Sequence, residues 1–166
     1  MKKIVCIITA LLALLLPAAV LAEGESIISN PDFSSWQEGL PEGWTFSSSN
    51  AYLTSENQEV SVVLESPGYA QLYQTISLEK ETSYKVTLEA AADSGAALSF
   101  LYQQASVPVN GNTTVLYVRT NTCDTQNYAL CLSLGSEYEE ASGAFNIKNV
   151  SIKKLEEMPQ SETVYT

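Results

Sequence analysis

Histidine is missing from the chain, and basic residues are few. Without histidine, Ser-His-Asp catalysis and the common histidine-containing zinc sites are excluded. Eight Lys and Arg residues stand against 19 Asp and Glu, which gives a formal net charge of −11. A surface of that sign repels phosphate, so nucleic acids and anionic membranes are not expected as partners.

A long apolar run occurs in one place, close to the amino terminus. Two lysines precede the run from Ile4 to Leu16, and Pro17 and a stretch of small residues follow it. This order is typical of a secretory signal peptide over residues 1–22, cleaved after Ala22. The run is short for a membrane-spanning helix, and no later run could insert into a membrane. We therefore expect a secreted, extracellular domain over residues 23–155.

Cysteine is also scarce. Cys6 falls within the signal peptide, which leaves Cys123 and Cys131, eight positions apart. An even pair in an exported protein favours a disulfide, and closing so small a loop would contribute roughly 2.5 kcal/mol. The alternative is a pair of free thiols, and in either case thiol catalysis is not expected.

Apolar residues alternate with polar ones from residue 59 onward, and no window shows a helical stripe. Turn residues such as Ser66-Pro67-Gly68 and Asn110-Gly111 separate the alternating segments, and Asn-Gly is typical of tight hairpins. The pattern predicts an all-β sandwich of about eight or nine antiparallel strands. The predicted core faces lie in segments 60–64, 70–78, 84–90, 98–100, 116–118 and 130–134.

The closing segment changes phase. Phe145 and Ile147 share one parity and Val150 and Ile152 the other, so a β-bulge near Lys148 is predicted to return both pairs to the core. Residues 156–166 contain a proline, three acids and few apolar side chains. This tail is predicted to be disordered.

Three segments together resemble a known family. They are N-P-D-F-S-S-W…P-E-G-W at residues 30–44, Q-L-Y-Q-T-I-S-L at 71–78 and F-N-I-K-N-V-S-I at 145–152. They resemble the galactose-binding-like jelly rolls, and more narrowly the carbohydrate-binding modules attached to bacterial cellulases and xylanases. The resemblance spans residues 26–155. It implies a jelly-roll β-sandwich and non-catalytic recognition of a polysaccharide or a cell-surface glycan.

The same resemblance bears on the aromatic residues and metals of the opening stretch. Trp44, after a Pro-Glu-Gly turn, is expected to plug the core, whereas Trp36 could stack on a ligand or cap the core edge. Related modules often hold a structural calcium between the first and last strands. Here Ser34 and Lys148 occupy the positions of the expected acids, so calcium is disfavoured and no metal or cofactor is predicted. Lys148 is expected to pair with Asp32 instead.

The resemblance also suggests where a glycan would bind. It places strands near 60–65, 84–92, 97–104 and 128–134 in one sheet, whose outer face would form the sugar groove. That face offers hydrogen-bonding side chains but no aromatic ring, so the rings would come from loops, where Trp36, Tyr52, Tyr69, Tyr102 and Tyr128 are available. The predicted ligand-binding residues are Trp36, Tyr52, Lys85, Glu89, Gln103 and Tyr128.

Two other functions are compatible with the sequence. If strands 70–78 and 114–120 pair, Tyr73, Tyr117 and Arg119 form a face suited to an extracellular protein partner. Glu89 with a second carboxylate could also hydrolyse a glycosidic bond, but 19 acids make a chance pairing easy. A non-enzymatic role is therefore favoured.

Overall fold

A computed structural model describes residues 26–56, 59–93, 95–100, 105–121, 127–135, 141–159 and 164–165. The predicted signal peptide, Gln103 and Cys123 lie outside the described residues. None of the described segments is helical, and none therefore supplies a helix long and apolar enough to cross a membrane.

The described chain forms eleven β-strands, which we number in chain order. They are β1 (Trp36–Gln37), β2 (Leu40–Pro41), β3 (Thr45–Glu56), β4 (Glu59–Ser77), β5 (Ser83–Ala92), β6 (Ala96–Phe100), β7 (Ala105–Pro108), β8 (Thr113–Arg119), β9 (Asn127–Leu134), β10 (Ala141–Leu155) and β11 (Val164–Tyr165). Eight of them, β3 to β10, build the sandwich, whereas β1 and β2 form a small separate ribbon. The predicted all-β jelly-roll sandwich is confirmed.

Strand β4 is shared by two sheets. Its first part, residues 60–68, pairs with β10, and its second part, residues 70–77, pairs with β9. Strand β3 follows β4 along both parts, with a register shift between Ser49 and Ala51 and a positive φ at Asn50. The first sheet therefore has the order β8-β5-β10-β4-β3, and the second has the order β3-β4-β9-β6-β7.

The core fills the space between these two sheets, on the faces that the alternation predicted. Val60, Leu72, Val86, Leu98 and Leu132 are among its fully enclosed side chains. The register of β10 against β5 shifts between Ile147 and Asn149. This bulge lets both pairs of apolar residues on β10 reach the core, as predicted; they are Phe145 and Ile147 before it, and Val150 and Ile152 after it.

The four segments that were predicted to share one sheet belong to two sheets, two in each. Strand β5 pairs with β8 and β10 in the first sheet, whereas β6 and β9 pair with each other in the second. Segments 70–78 and 114–120 do not pair, because β8 lies beside β5. Alternation shows which side of a strand is buried, but pairing partners are chosen by contacts between distant segments.

Two predicted turns also have other roles. Ser66-Pro67-Gly68 lies inside β4, where the strand passes from one sheet to the other. Asn110-Gly111 connects β7 of the second sheet to β8 of the first, so it is a crossover and not a tight hairpin. Gly111 still adopts the left-handed conformation, with φ of 74°.

The carboxy-terminal tail returns to the first sheet. Val164 and Tyr165 pair in parallel with Tyr117 and Val118 of β8. The prediction of disorder over residues 156–166 is therefore wrong at these two positions. An unpaired edge strand attracts any extended segment that can reach it, and the tail supplies one.

Cys131 is a free, fully buried thiol on β9. Burial raises the pKa of the Cys131 thiol to about 12, and a hydrogen bond with Ser99 opposes the shift. Its cross-strand neighbours are Tyr73 on β4 and Ser99 on β6. The predicted Cys123–Cys131 disulfide is not found in the structure: Cys131 is a free thiol, and Cys123 lies outside the described residues.

Candidate functional site

The opening stretch, residues 30–44, is braced by Asn30. Its Nδ2 donates to the carbonyl oxygens of Ser35 at 2.8 Å and Glu42 at 3.3 Å, and its Oδ1 accepts from the Ser35 amide at 3.1 Å. Phe33 and Trp44 are both buried, with ring centroids 5.1 Å apart. The predicted core role of Trp44 is confirmed, and most of this stretch closes the end of the sandwich.

Trp36 lies half-buried against the core. Its Nε1 donates to the carbonyl oxygen of Phe33 at 2.8 Å, so its polar atom is used within the loop. The sequence left two roles open for Trp36, stacking on a ligand and capping the edge of the core, and this geometry favours the second.

Asp32 and Lys148, which the sequence predicted to pair, have other partners. Oδ1 of Asp32 accepts hydrogen bonds from the Ser34 hydroxyl at 2.8 Å and the Ser34 amide at 3.2 Å. These bonds, the hydroxyl first, lower the pKa of Asp32. Lys148 Nζ lies 3.0 Å from Glu59 Oε1, because the β10 bulge places it beside the start of β4. Within the described segments, no group of three or more His, Cys, Asp or Glu side chains could hold a metal.

The predicted ligand-binding residues are not gathered in one place. Lys85 and Glu89 lie on the outer side of β5, whereas Tyr52 lies on β3, with β10 and β4 between them. Tyr128 is 3% exposed and packs edge-on against Phe100, with centroids 6.3 Å apart. The prediction that Tyr128 contacts a ligand is wrong, since its parity on β9 directs the ring into the core.

The predicted protein-binding face is also wrong. Tyr117 and Arg119 lie on β8 of the first sheet, opposite Lys85 and Ser83 of β5. Tyr73 lies on the second sheet, between Thr45 of β3 and Cys131 of β9. The three residues therefore occupy opposite outer sides of the sandwich, and no single partner surface spans them.

The two outer sides differ sharply in charge. Each long strand of the first sheet carries acids or bases, including Lys85, Glu89 and Arg119. The strand segments of the second sheet, residues 45–49, 69–77, 96–100, 105–108 and 127–134, contain no acidic or basic residue. We call the outer side of this second sheet the uncharged face.

The register of the strands orders the uncharged face into rows. One row runs Thr45, Tyr73, Cys131, Ser99, Ser106, and the next runs Ser47, Gln71, Ser133, Ala97, Pro108. Tyr69 lies beside Ser49 in a third row. Tyr69, Gln71 and Tyr73 alternate on β4, share the outer side, and are each partly exposed.

The side chains next to these tyrosines are small. Ala129 and Cys131 on β9 are buried although they point away from the core. Cys131 lies opposite Ser99 of β6, and Ser133, two residues further along β9, lies opposite Ala97. Two tyrosine rings therefore stand beside a strip of small side chains, an arrangement that offers aromatic planes, hydroxyls and an amide but no charge.

The sequence contained a signal for this face. The charge-free segments and the Tyr-x-Gln-x-Tyr alternation are visible in it, but Ser66-Pro67-Gly68 was interpreted as a turn, which assigned Tyr69 to a loop. Because β4 continues through these residues, Tyr69 and Tyr73 belong to one strand and one face.

Neither a family model nor a curated protein matches the sequence. Solved structures do share its fold. The module TmCBM61, solved with β-1,4-galactotriose, has a TM-score of 0.56 at 16% identity over 79% of this chain and 99% of its own. A CBM4 structure has a TM-score of 0.58 at 16% identity over 76% of this chain and 99% of its own. The fold is the jelly roll of carbohydrate-binding modules.

This jelly roll also occurs in proteins of other classes. The enzymatically active domain of tailspike protein 4 from bacteriophage CBA120 has a TM-score of 0.60 at 17% identity. The match covers 78% of this chain but 21% of that chain. A cyclase from Fischerella sp. TAU has a TM-score of 0.57 at 16% identity, over 86% of this chain and all of the cyclase. At such identities the likeness establishes the fold, and function must be argued from the site.

Proposed function

We propose that this chain is a secreted, non-catalytic carbohydrate-binding module that binds a neutral polysaccharide or cell-surface glycan on its uncharged face. The observation that carries the proposal is a sheet without acids or bases, with Tyr69 and Tyr73 on its outer side, in a chain of net charge −11. Charged residues make up 16% of the chain, so the strand segments of this sheet, which contain none, differ in composition from the chain as a whole.

The chemistry of a sugar suits such a face. A pyranose ring presents an apolar side that an aromatic ring can cover, and hydroxyls that need hydrogen-bonding partners. Tyr69 and Tyr73 supply the rings, while Gln71 and Ser133, paired across β4 and β9, supply donors and acceptors. A charged side chain would have to lose its hydration to a neutral ligand without gaining a partner, so its absence favours binding.

The proposal of a binding role without catalysis rests on the same face. Glycoside hydrolysis needs two carboxyl groups on either side of the scissile bond. The strand segments of the uncharged face contain no carboxylate. Glu89, the sequence candidate for this chemistry, lies on the other sheet. The signal-peptide pattern of residues 1–22 supports export, which would bring the module to extracellular polysaccharides.

Affinity electrophoresis of residues 23–166 through gels containing soluble galactans, xylans, glucans and mannans tests the proposal. We expect retardation by at least one neutral polysaccharide. Tyr73→Ala and Tyr69→Ala should each weaken it about fivefold, since an aromatic contact of this kind contributes on the order of 1 kcal/mol. Tyr117→Ala, the same change on the first sheet, is the matched control and should bind as the wild type does.

Two results would count against this function. Retardation that survives the double change Tyr69→Ala and Tyr73→Ala would remove the uncharged face from the site. Loss of retardation in Tyr117→Ala alone would move the site to the first sheet.

A further inference from the structure

The edges of the sandwich are protected unequally. The edge at β8 is covered by β11 through the pairing of Val164 and Tyr165. The edge at β7 is four residues long and ends in Pro108, which has no amide proton to donate. Strand β3 is 12 residues long and forms an edge of both sheets. Among the described residues, it pairs with β4 alone.

The second part of β3, Ala51 to Glu56, forms the edge of the first sheet. The strand contains no lysine and no proline, which are the residues that commonly block edge pairing. Its one irregularity is the register shift at Asn50, which separates this part from the beginning of the strand. Among the described residues, no second strand pairs with this part, so the backbone groups on its outer edge have no strand partner. The Ala51 carbonyl oxygen accepts a hydrogen bond from the Ser48 hydroxyl at 3.3 Å.

Tyr52 adds an apolar surface to the same edge. Its side chain is 43% exposed, one of the few large apolar residues with that much surface in the described chain. It lies on the outer side of the first sheet, beside Val63 of β4. A strand added next to β3 would cover part of this ring.

We propose that residues 51–56 pair antiparallel with the same residues of a second copy, which joins the first sheets of the two copies into one continuous sheet. An antiparallel strand pair is self-complementary under a two-fold axis, so one segment supplies both halves of the contact. Two copies with a net charge of −11 repel each other over most approaches. This segment carries a single acid, Glu56, at its end, so the repulsion is small there.

The contact is small, and a weak dimer follows. A pair of short strands with one tyrosine on each side buries less than the surface of a standard stable interface. We therefore expect a monomer at low concentration and a dimer that forms in the upper micromolar range and above. This inference does not depend on the proposed sugar binding.

Sedimentation velocity of residues 23–166 from about 10 μM to about 1 mM tests the inference. The sedimentation coefficient of the wild type should rise toward that of a dimer. Thr54→Lys places a cation on the exposed edge and should weaken association about tenfold or more. Thr87→Lys makes the same change on the outer side of β5, an interior strand of the same sheet, and should associate as the wild type does.

An NMR readout of the wild type makes the test independent of any variant. The amide signals of residues 51–56 should shift with protein concentration, whereas those of β5 should not. A constant monomer coefficient up to the highest concentration overturns the inference. So does association that Thr54→Lys leaves unchanged, or concentration-dependent shifts confined to other strands.

Discussion

The side-chain amide of Gln74 forms a reciprocal pair of hydrogen bonds with the backbone of Ser29. Oε1 of Gln74 accepts from the Ser29 amide at 2.9 Å, and Nε2 donates to the Ser29 carbonyl oxygen at 3.1 Å. The same nitrogen donates to the carbonyl oxygen of Gly43 at 3.0 Å. Gln74 is 5% exposed and stands at an inward position of β4, so a buried polar side chain ties the segment before β1 to the second sheet.

Gln74→Leu should lower the free energy of unfolding by about 2–4 kcal/mol. The change leaves the Ser29 amide and the carbonyl oxygens of Ser29 and Gly43 without their hydrogen-bond partner. Gln71→Leu, the same change on the outer side of the same strand, should alter this free energy by no more than about 0.5 kcal/mol. Urea unfolding followed by tryptophan fluorescence measures both. Equal losses in the two variants would mean that the Gln74 bonds do not hold the segment.

Gly143→Ala should be strongly destabilising. Gly143 has φ of 107°, and a Cβ there would run into the carboxylate of Asp93. That carboxylate accepts a hydrogen bond from the Ala144 amide at 2.8 Å, so it cannot move away freely. We expect a loss of more than about 2 kcal/mol.

Gly39→Ala is the matched control, because Gly39 also has a positive φ, 82°, but has nothing within 4 Å of the added atom. It should cost about 1 kcal/mol, the backbone strain alone. Comparison of the two midpoints in urea separates strain from the clash, and an equal cost would show that the Asp93 contact is absent.

The buried thiol of Cys131 should make the protein less stable at high pH. Its pKa in the folded state is about 12, above the ordinary value of 9.0, so the unfolded chain loses this proton first. The contribution of Cys131 is constant below about pH 9 and falls by up to about 1.4 kcal/mol per pH unit between the two values. Cys131→Ala should lose this dependence, measured as the difference between wild-type and variant unfolding curves at pH 8 and pH 10.5.

The same residue distinguishes a free thiol from a disulfide. Dithiothreitol should leave the thermal midpoint unchanged, and Ellman's reagent should react with Cys131 only after the protein is unfolded. A thermal midpoint that falls on reduction would contradict the structure, since the loss of a native disulfide lowers the free energy of unfolding by about 2–5 kcal/mol.

Calcium should not stabilise the fold. Oδ1 of Asp32 already accepts two hydrogen bonds from Ser34, and Lys148 is held by Glu59. A site for calcium needs six or more oxygen ligands, usually with several carboxylates. We expect the same thermal midpoint in a calcium buffer and in a chelator. A rise with calcium that Asp32→Asn abolishes would show that the site binds the ion after all.

Glycan binding should not depend on ionic strength. The strands of the uncharged face carry no side chain that is charged at neutral pH, so salt has little to screen there. The affinity for a retained polysaccharide should stay within about twofold between about 50 mM and 500 mM NaCl. A steep loss with salt would point to the first sheet, with Lys85 and Arg119, as the binding surface.

The outline of the core could be predicted from the sequence because side chains on a strand alternate. Leu72, Val86 and Leu132 were assigned to the core by parity alone, and the phase change around Lys148 predicted the bulge. Strand β3 was missed for the opposite reason. Its run of serines at positions 47–49 shows no apolar alternation, since an edge strand contributes little to the core.

The site was harder to predict because it depends on which strands are neighbours. Segments 84–92 and 128–134 were placed in one sheet, yet they belong to different sheets. Gln74 has the parity of a core residue but a polar side chain, and its partners Ser29 and Gly43 are distant in the chain. Such contacts follow from the chain's path between the sheets, which local patterns do not encode.

The sharing of β3 and β4 between the sheets has a consequence for how the molecule opens. Neither sheet can separate from the core without pulling on strands that the other also uses, so the sandwich should unfold in a single transition. The amides of β4, enclosed on both sides in each sheet, should exchange with deuterium only when the whole domain unfolds. The β3–β4 pair therefore holds the two sheets together, and a loss of pairing at any point along it should destabilise both sheets.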